Sequence, residues 1–242
     1  WAQATQVRKP RWRRSAHRLA NNAGFFPVES QSFSSWNATM RKAIQAMDYL
    51  CEWQQDPFLA AYEGQLVARI SPSSRNIPMR ALGKSILPQI APYRWLVISP
   101  FTQTMQQQLP RLPLIHDPAG AWAVDWGALQ NRCRFLRCPL QWHLQPSPYS
   151  SWEEGLEDLA CRALAEEFDV ALIGAGAWSL PLAARIKKSG RSAIHTGGET
   201  QLLFGIKGSR WHHDDFYNSA WVSVLPEETP RERHRIDDGC YW

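Results

Sequence analysis

The residues able to do chemistry gather in one stretch, Phe168 to Trp211. His195 and Glu199 flank a Gly197-Gly198 turn, and Lys207 and Arg210 follow. Upstream, Gly174, Ala175 and Gly176 form a second glycine turn. An imidazole changes charge near neutral pH and can contact a phosphate or act as acid or base. Glu199 is the carboxylate nearest to such a centre. Lys207 and Arg210 carry the charge that two glycine turns would need to complete an anion site. Each residue also has a plainer role: His195 as a hydrogen-bonded structural side chain, Glu199 as a surface carboxylate. His212, His213, Asp214 and Asp215 are four metal-ligand types in a row. Adjacent side chains diverge, so this run reads as a polar loop, and no metal ligand is assigned.

The elements that must position these groups are visible in the pattern. Val170 to Ile173 is an apolar run that leads into the Gly174 turn. An amphipathic segment follows, with Leu180, Leu182, Ala183 and Ile186 inward and Arg185, Lys187 and Lys188 outward. Ser189-Gly190 stops it, and Ser192 to His195 forms a second short run. Strand, turn, helix, turn, strand is a βαβ unit. Glycines at a strand end let the backbone approach a ligand, and the next helix offers free N–H groups and partial positive charge. Open α/β sheets bind ligands at such ends; a tight turn without a ligand is the alternative. The pattern GAGAWS is an incomplete dinucleotide fingerprint. Ser179 stands where a third glycine would be, and His195-Thr196-Gly197 replaces the acidic residue that would close the second strand. No G-x-S-x-G, Walker or H-E-x-x-H motif occurs.

The flanks extend this plan. Residues 1–14 read as a basic, flexible lead-in. Residues 15–92 read as a helical N-terminal subdomain, and 93–242 as a Rossmann-like α/β domain with a loop-rich tail. In detail, residues 15–30 read as a loop punctuated by Asn21-Asn22, Gly24 and Pro27. Helices are expected over 34–49, as a turn over 58–62, after Pro78, over 101–109, over 151–167 and from Gln201. Strands are expected at 65–70, 96–98, 112–115 and 140–144, with 71–78 a loop. The fold class is α/β: a mostly parallel sheet flanked by helices.

Composition narrows the partners. Of 242 residues, 44% are hydrophobic, enough for a sizeable core. The 13 tryptophans suit packing first and sugar or base stacking second. The net charge of +5 is largely local, from Arg8, Lys9, Arg11, Arg13, Arg14, His17 and Arg18. This cluster suits a solvated arm or a basic approach to an anion site; nucleic acid or acidic lipid is the alternative. No nucleic-acid recognition motif accompanies it. Five scattered cysteines without a C-x-x-C pair point to reduced thiols and a cytoplasmic chain. No apolar run approaches the ~18 residues of a membrane span.

Five segments together carry a resemblance: RLANNAGFFP (18–27), VISPF (97–101), the stretch 168–211, YNSAWV (217–222) and GCYW (239–242). They resemble a family of uncharacterised bacterial proteins that often occur with polysaccharide-biosynthesis functions. That family is distantly similar to glycosyltransferases of the GT-D fold, with a Rossmann-like core and nucleotide-sugar donors. The resemblance implies a nucleotide-sugar donor and a hydroxyl acceptor. Gly174, Gly176, Ala177 and Trp178 would hold the diphosphate, and Gly197 and Gly198 would admit nucleotide or sugar. Lys207 and Arg210 would offset leaving-group charge, and His195 or Glu199 would act on the acceptor. Arg18, Asn21 and Asn22 would meet substrate. GT-D enzymes carry an Asp-x-Glu metal motif after an N-terminal Arg; here Asn21-Asn22-Ala23-Gly24 follows Arg18. A divalent cation, the cofactor this resemblance implies, would lose both carboxylates. An S-adenosylmethionine or NAD enzyme and a non-catalytic glycan- or protein-binding module remain alternatives.

Overall fold

The computed structural model describes residues 11–52, 57–73, 75–78, 86–116, 124–142, 145–211 and 217–242. The chain opens with helix α1 (Arg11–Ala23). Trp12, Ala16, Leu19 and Ala20 recur at helical spacing and turn inward, while Arg13, Arg14, His17 and Arg18 point to solvent. The loop expected from Ser15 is thus a helix, which also takes in 11–14 of the expected flexible lead-in; 1–10 lie outside the described residues. Asn21 and Asn22 form its last turn, and Gly24 ends it at φ +79, the left-handed region that glycine takes beyond a helix. Helix α2 (Ser30–Gln45) begins earlier than its periodicity suggested. Strand β1 (Tyr49–Glu52), helix α3 (Pro57–Ile70) and strand β2 (Arg75–Pro78) follow. α3 replaces the strand expected at 65–70, and β2 replaces part of the loop expected over 71–78. Pro57 suits the first helical position, and Leu, Ala, Glu and Gln favour continuing it. β1 and β2 pair in parallel, Tyr49 opposite Arg75.

The chain continues with α4 (Leu87–Ile90), β3 (Trp95–Ser99), α5 (Thr102–Gln108), α6 (Leu112–Ile115), α7 (Trp126–Leu129) and β4 (Cys133–Arg137). Then come α8 (Trp152–Ala165), β5 (Val170–Ile173), α9 (Ser179–Lys188), β6 (Ser192–His195) and α10 (Glu199–Leu203). The 112–115 stretch is helical rather than a strand. Residues 140–142 lie outside any strand, and 143–144 lie outside the described residues, as do 79–85 of the helix expected after Pro78. The edge strand is Cys133–Arg137 instead.

The four strands β4-β3-β5-β6 form one parallel sheet, the Rossmann-like plan expected. β3 and β5 are buried along their whole length, which is why they read as unbroken apolar runs; the edges β4 and β6 are partly exposed. Alternate residues serve opposite faces. Leu96, Ile98, Ala171 and Ile173 pack against α1, α8 and α9. Trp95, Val97, Val170 and Leu172 pack with Leu87, Met105, Leu112, Leu203 and Trp221. Trp95, Trp126, Trp142, Trp152, Trp178, Trp211 and Trp221 are buried, so packing absorbs many of the tryptophans. From β3 the chain steps outward to β4, then returns past β3 to β5. That reversal makes β3 and β5 the switch point, where a crevice opens beyond the strand ends. Among the described residues, no helix is long and apolar enough to cross a membrane.

Candidate functional site

The switch-point crevice is occupied by the chain itself. The Gln103 and Thr104 amides at the start of α5 donate to the Glu228 carboxylate at 2.8 and 2.9 Å, and Thr104 Oγ1 donates to it at 2.6 Å. Glu228 is only 4% exposed. The Trp242 ring meets Phe101 edge-on, centroids 5.8 Å apart. At the end of β5, the Ala175 amide donates to Ser179 Oγ at 2.8 Å, and Ser179 is fully buried. The serine at the third-glycine position thus satisfies an amide that a phosphate would otherwise take. A Cβ at Gly174 would lie 2.6 Å from both the Gly197 carbonyl oxygen and Thr200 Oγ1. Gly176, at φ +56, is closely approached by the Ala23 carbonyl at the end of α1. These glycines do permit close approach, and here the approaching groups belong to the protein. The Gly176 and Ala177 amides have no acceptor among the described residues. Trp178 is buried and donates to the Trp152 carbonyl at 2.8 Å, a packing role.

The β6 edge is built differently. Thr196 Oγ1 and Thr200 Oγ1 share a hydrogen bond of 2.6 Å, and Thr200 Oγ1 donates to the Gly197 carbonyl at 2.7 Å. This pair fixes the turn that carries His195 and Glu199. A Cβ at Gly197 would meet nothing closer than His195 Nε2, 3.7 Å away, so space is open beside the imidazole. Water reaches the His195 side chain. Yet protein crowds it closely enough that desolvation lowers its pKa to about 4. His195 is therefore neutral at physiological pH. Desolvation also raises the pKa of Glu199, which opens α10 and is half-buried. Neither side chain has a hydrogen bond or ion pair with a described residue. Gly198, by contrast, is crowded by the Tyr241 and Trp211 rings.

The two cations have separate fates. The Lys207 amide donates to the Val222 carbonyl at 2.7 Å, and its own carbonyl accepts from Gln201 Nε2 at 3.1 Å. Its ammonium stands 6.0 Å from the Tyr217 ring centroid and has no ion-pair partner among the described residues. Arg210 pairs with Asp237, contacts Cys240 Sγ and lies over the Trp211 and Tyr241 rings. Burial is the main cause that pushes the Cys240 thiol and the Tyr241 hydroxyl up to about 12. Arg210 thus fastens the 237–241 turn to the Ser209–Trp211 turn.

α1 brings the asparagines to the same end of the molecule. It packs against the Gly176–Trp178 turn and against residues 237–239. Asn21 Nδ2 donates to Asn22 Oδ1 at 3.2 Å, and Arg18 is exposed. No cluster of three His, Cys, Asp or Glu suited to a metal exists among the described residues, and His212 to Asp215 lie outside them. Sequence reasoning missed Glu228, Asp237 and the Thr196–Thr200 pair. The threonines had a local signal, two hydroxyls spaced across a glycine turn; Glu228 and Asp237 had none. No protein-family model matches the chain, and neither a curated protein nor a solved structure matches it, so the site rests on its own geometry.

Proposed function

We propose that the protein binds a nucleotide-sugar at the carboxyl edge of β5 and β6, as a glycosyltransferase-like protein of cell-surface polysaccharide synthesis. The observation that carries this reading is His195, neutral and without a hydrogen-bond or ion-pair partner among the described residues, beside the open Gly197 turn. In this reading His195 Nε2 takes the proton from an acceptor hydroxyl. The acceptor oxygen bonds to the anomeric carbon while the bond to the diphosphate oxygen breaks. Departing negative charge is the main barrier, and Lys207 with the Gly176 and Ala177 amides would offset it. Glu199, on the same turn, would accept a hydrogen bond from a sugar hydroxyl. Arg210 could serve the diphosphate only by giving up Asp237. A divalent cation would find uncharged amide oxygens at Asn21 and Asn22, a poor fit for a hard ion, so no step is routed through one. A cytoplasmic location belongs to the same proposal; all five thiols are unbridged.

Calorimetric titration with uridine and guanosine diphosphate sugars, with and without manganese, tests the reading. At least one donor should bind, and Lys207→Ala should weaken it. Silence across the panel would reject it. A non-catalytic binding module is the second reading, favoured by the asparagines that replace the carboxylates. It predicts donor or glycan binding without transfer or donor hydrolysis. The cofactor-enzyme alternative is weakened because Ser179 already takes the Ala175 amide; thermal-shift screening with S-adenosylmethionine and NAD distinguishes it.

A further inference from the structure

The segment Asp237 to Trp242 covers the Gly198 side of the β6 turn. Its Tyr241 ring crowds Gly198, together with the Trp211 ring. The Arg210 guanidinium stands over both rings, 5.2 Å from the Tyr241 centroid and 5.7 Å from that of Trp211. Hydrogen bonds tie the segment down. The Ser209 amide donates to the Trp242 carbonyl at 3.1 Å, and the Arg210 amide to the Cys240 carbonyl at 3.2 Å. Gln201 Nε2, from α10, donates to the Tyr241 carbonyl at 3.2 Å. The Arg210–Asp237 ion pair completes the closure.

The closed segment carries costs. Asp237 and Asp238 have φ of +47 and +56, the left-handed region that residues with a Cβ rarely adopt, and Gly239 follows at +74. Gln201 Oε1 and Trp242 Nε1 are buried without a hydrogen-bond partner among the described residues, which destabilises. Gln201 holds the segment and Trp242 belongs to it, so both orphans lie along the closed seam. The ion pair that opposes these costs is incomplete. Asp237 Oδ2 meets one guanidinium nitrogen, Nη2, whereas the guanidinium fork can engage two anionic oxygens in parallel. The two side chains are 35% and 20% exposed, so a dissolved anion can reach them. A diphosphate brings more negative charge than one carboxylate and offers the fork paired oxygens.

We propose that Asp237 is an internal competitor for Arg210: a diphosphate-bearing ligand displaces it, and the segment 237–242 then lifts from Gly198. The inference rests on the reading of this crevice as a diphosphate site. Inorganic pyrophosphate is the probe, because it carries neither nucleotide nor sugar. In calorimetric titration, Asp237→Asn should bind it about fivefold more tightly than the wild type. Asparagine also tolerates left-handed backbone, so the substitution removes charge and keeps the turn. Arg210→Ala should bind pyrophosphate weakly, and Arg210→Ala/Asp237→Asn should gain nothing over it. Amide hydrogen exchange reports the segment itself. The Ser209 and Arg210 amides should exchange about fivefold faster in Asp237→Asn, and faster in the wild type saturated with pyrophosphate. The Lys207 amide, bonded to Val222 outside the segment, should not change. Equal pyrophosphate affinity in the wild type and Asp237→Asn, or no binding by either, would overturn the proposal, as would unchanged exchange at Ser209 and Arg210. Silent sugar nucleotides beside the predicted pyrophosphate behaviour would reject the donor reading and uphold the displacement of Asp237. Donors that bind the wild type and Asp237→Asn alike would reject the displacement alone.

Discussion

Between β3 and β5, Glu228 takes the α5 amides, Ser179 takes the Ala175 amide, and Thr200 and Ala23 fill the space beside Gly174 and Gly176. One strand away, at the end of β6, exposed His195 and half-buried Glu199 are crowded by protein, yet neither has a hydrogen-bond or ion-pair partner among the described residues. The two corners share glycine turns and nearby cations, yet the chain treats them in opposite ways. A desolvated polar group left unpaired costs stability, whereas a satisfied one does not. Groups kept in the costly condition are the better candidates for chemistry, and satisfied groups are the better candidates for architecture. Composition alone does not separate the two corners; partnering does.

Substitutions should divide along the same line. The largest effect belongs to His195→Ala. Donor-dependent transfer should fall about 10²- to 10⁴-fold. The urea midpoint should hold or rise, and a large fall in it would make His195 architectural. Glu228→Ala comes next. It strands two amides and the Thr104 hydroxyl in a buried place, and should cost about 3 kcal/mol in chemical denaturation. Ser179→Ala should cost about 1–2 kcal/mol by orphaning the Ala175 amide. Donor affinity gained in that variant would show that the switch-point amides still take a phosphate.

The smallest effect is a pH trend. The His195 pKa falls from the ordinary 6.5 to about 4 on folding. The unfolded chain therefore binds more protons between those values, and stability rises with pH across that window. His195 costs nothing above about pH 6.5 and progressively destabilises the fold as pH falls toward 4. His116, lowered mainly by burial, acts in the same direction. The urea midpoint of His195→Asn should drop less than that of the wild type between neutral and acid pH. Parallel curves would mean that the imidazole is as hydrated in the fold as outside it.

How much of this was legible depended on sequence distance. The β5–α9–β6 unit and the β3–α5 unit were readable because apolar run, turn and amphipathic segment are contiguous. α1 was misread because Asn21-Asn22, Gly24 and Pro27 punctuate it; the asparagines close the helix rather than prevent it. β4 was missed because an edge strand tolerates Arg134 and Arg137, which mask its apolar residues. In α3, a short stretch at Gln65 to Ile70 imitated a strand inside a longer helix. His195 and Glu199 could be selected because they border a turn visible in the sequence. The commitment of Arg210 could not, because Asp237 lies 27 residues away. Glu228 reaches Thr104 across 124 residues, a pairing that only the fold creates.

Imidazole ¹⁵N resonances followed from pH 7.5 to 3.5 in histidine-labelled protein, with and without a nucleotide-sugar, test the central claim most directly. The account predicts that the His195 resonance, assigned by its loss in His195→Ala, stays neutral until about pH 4 and shifts when the donor is added. A His195 that titrates near 6.5 and ignores the donor would contradict it.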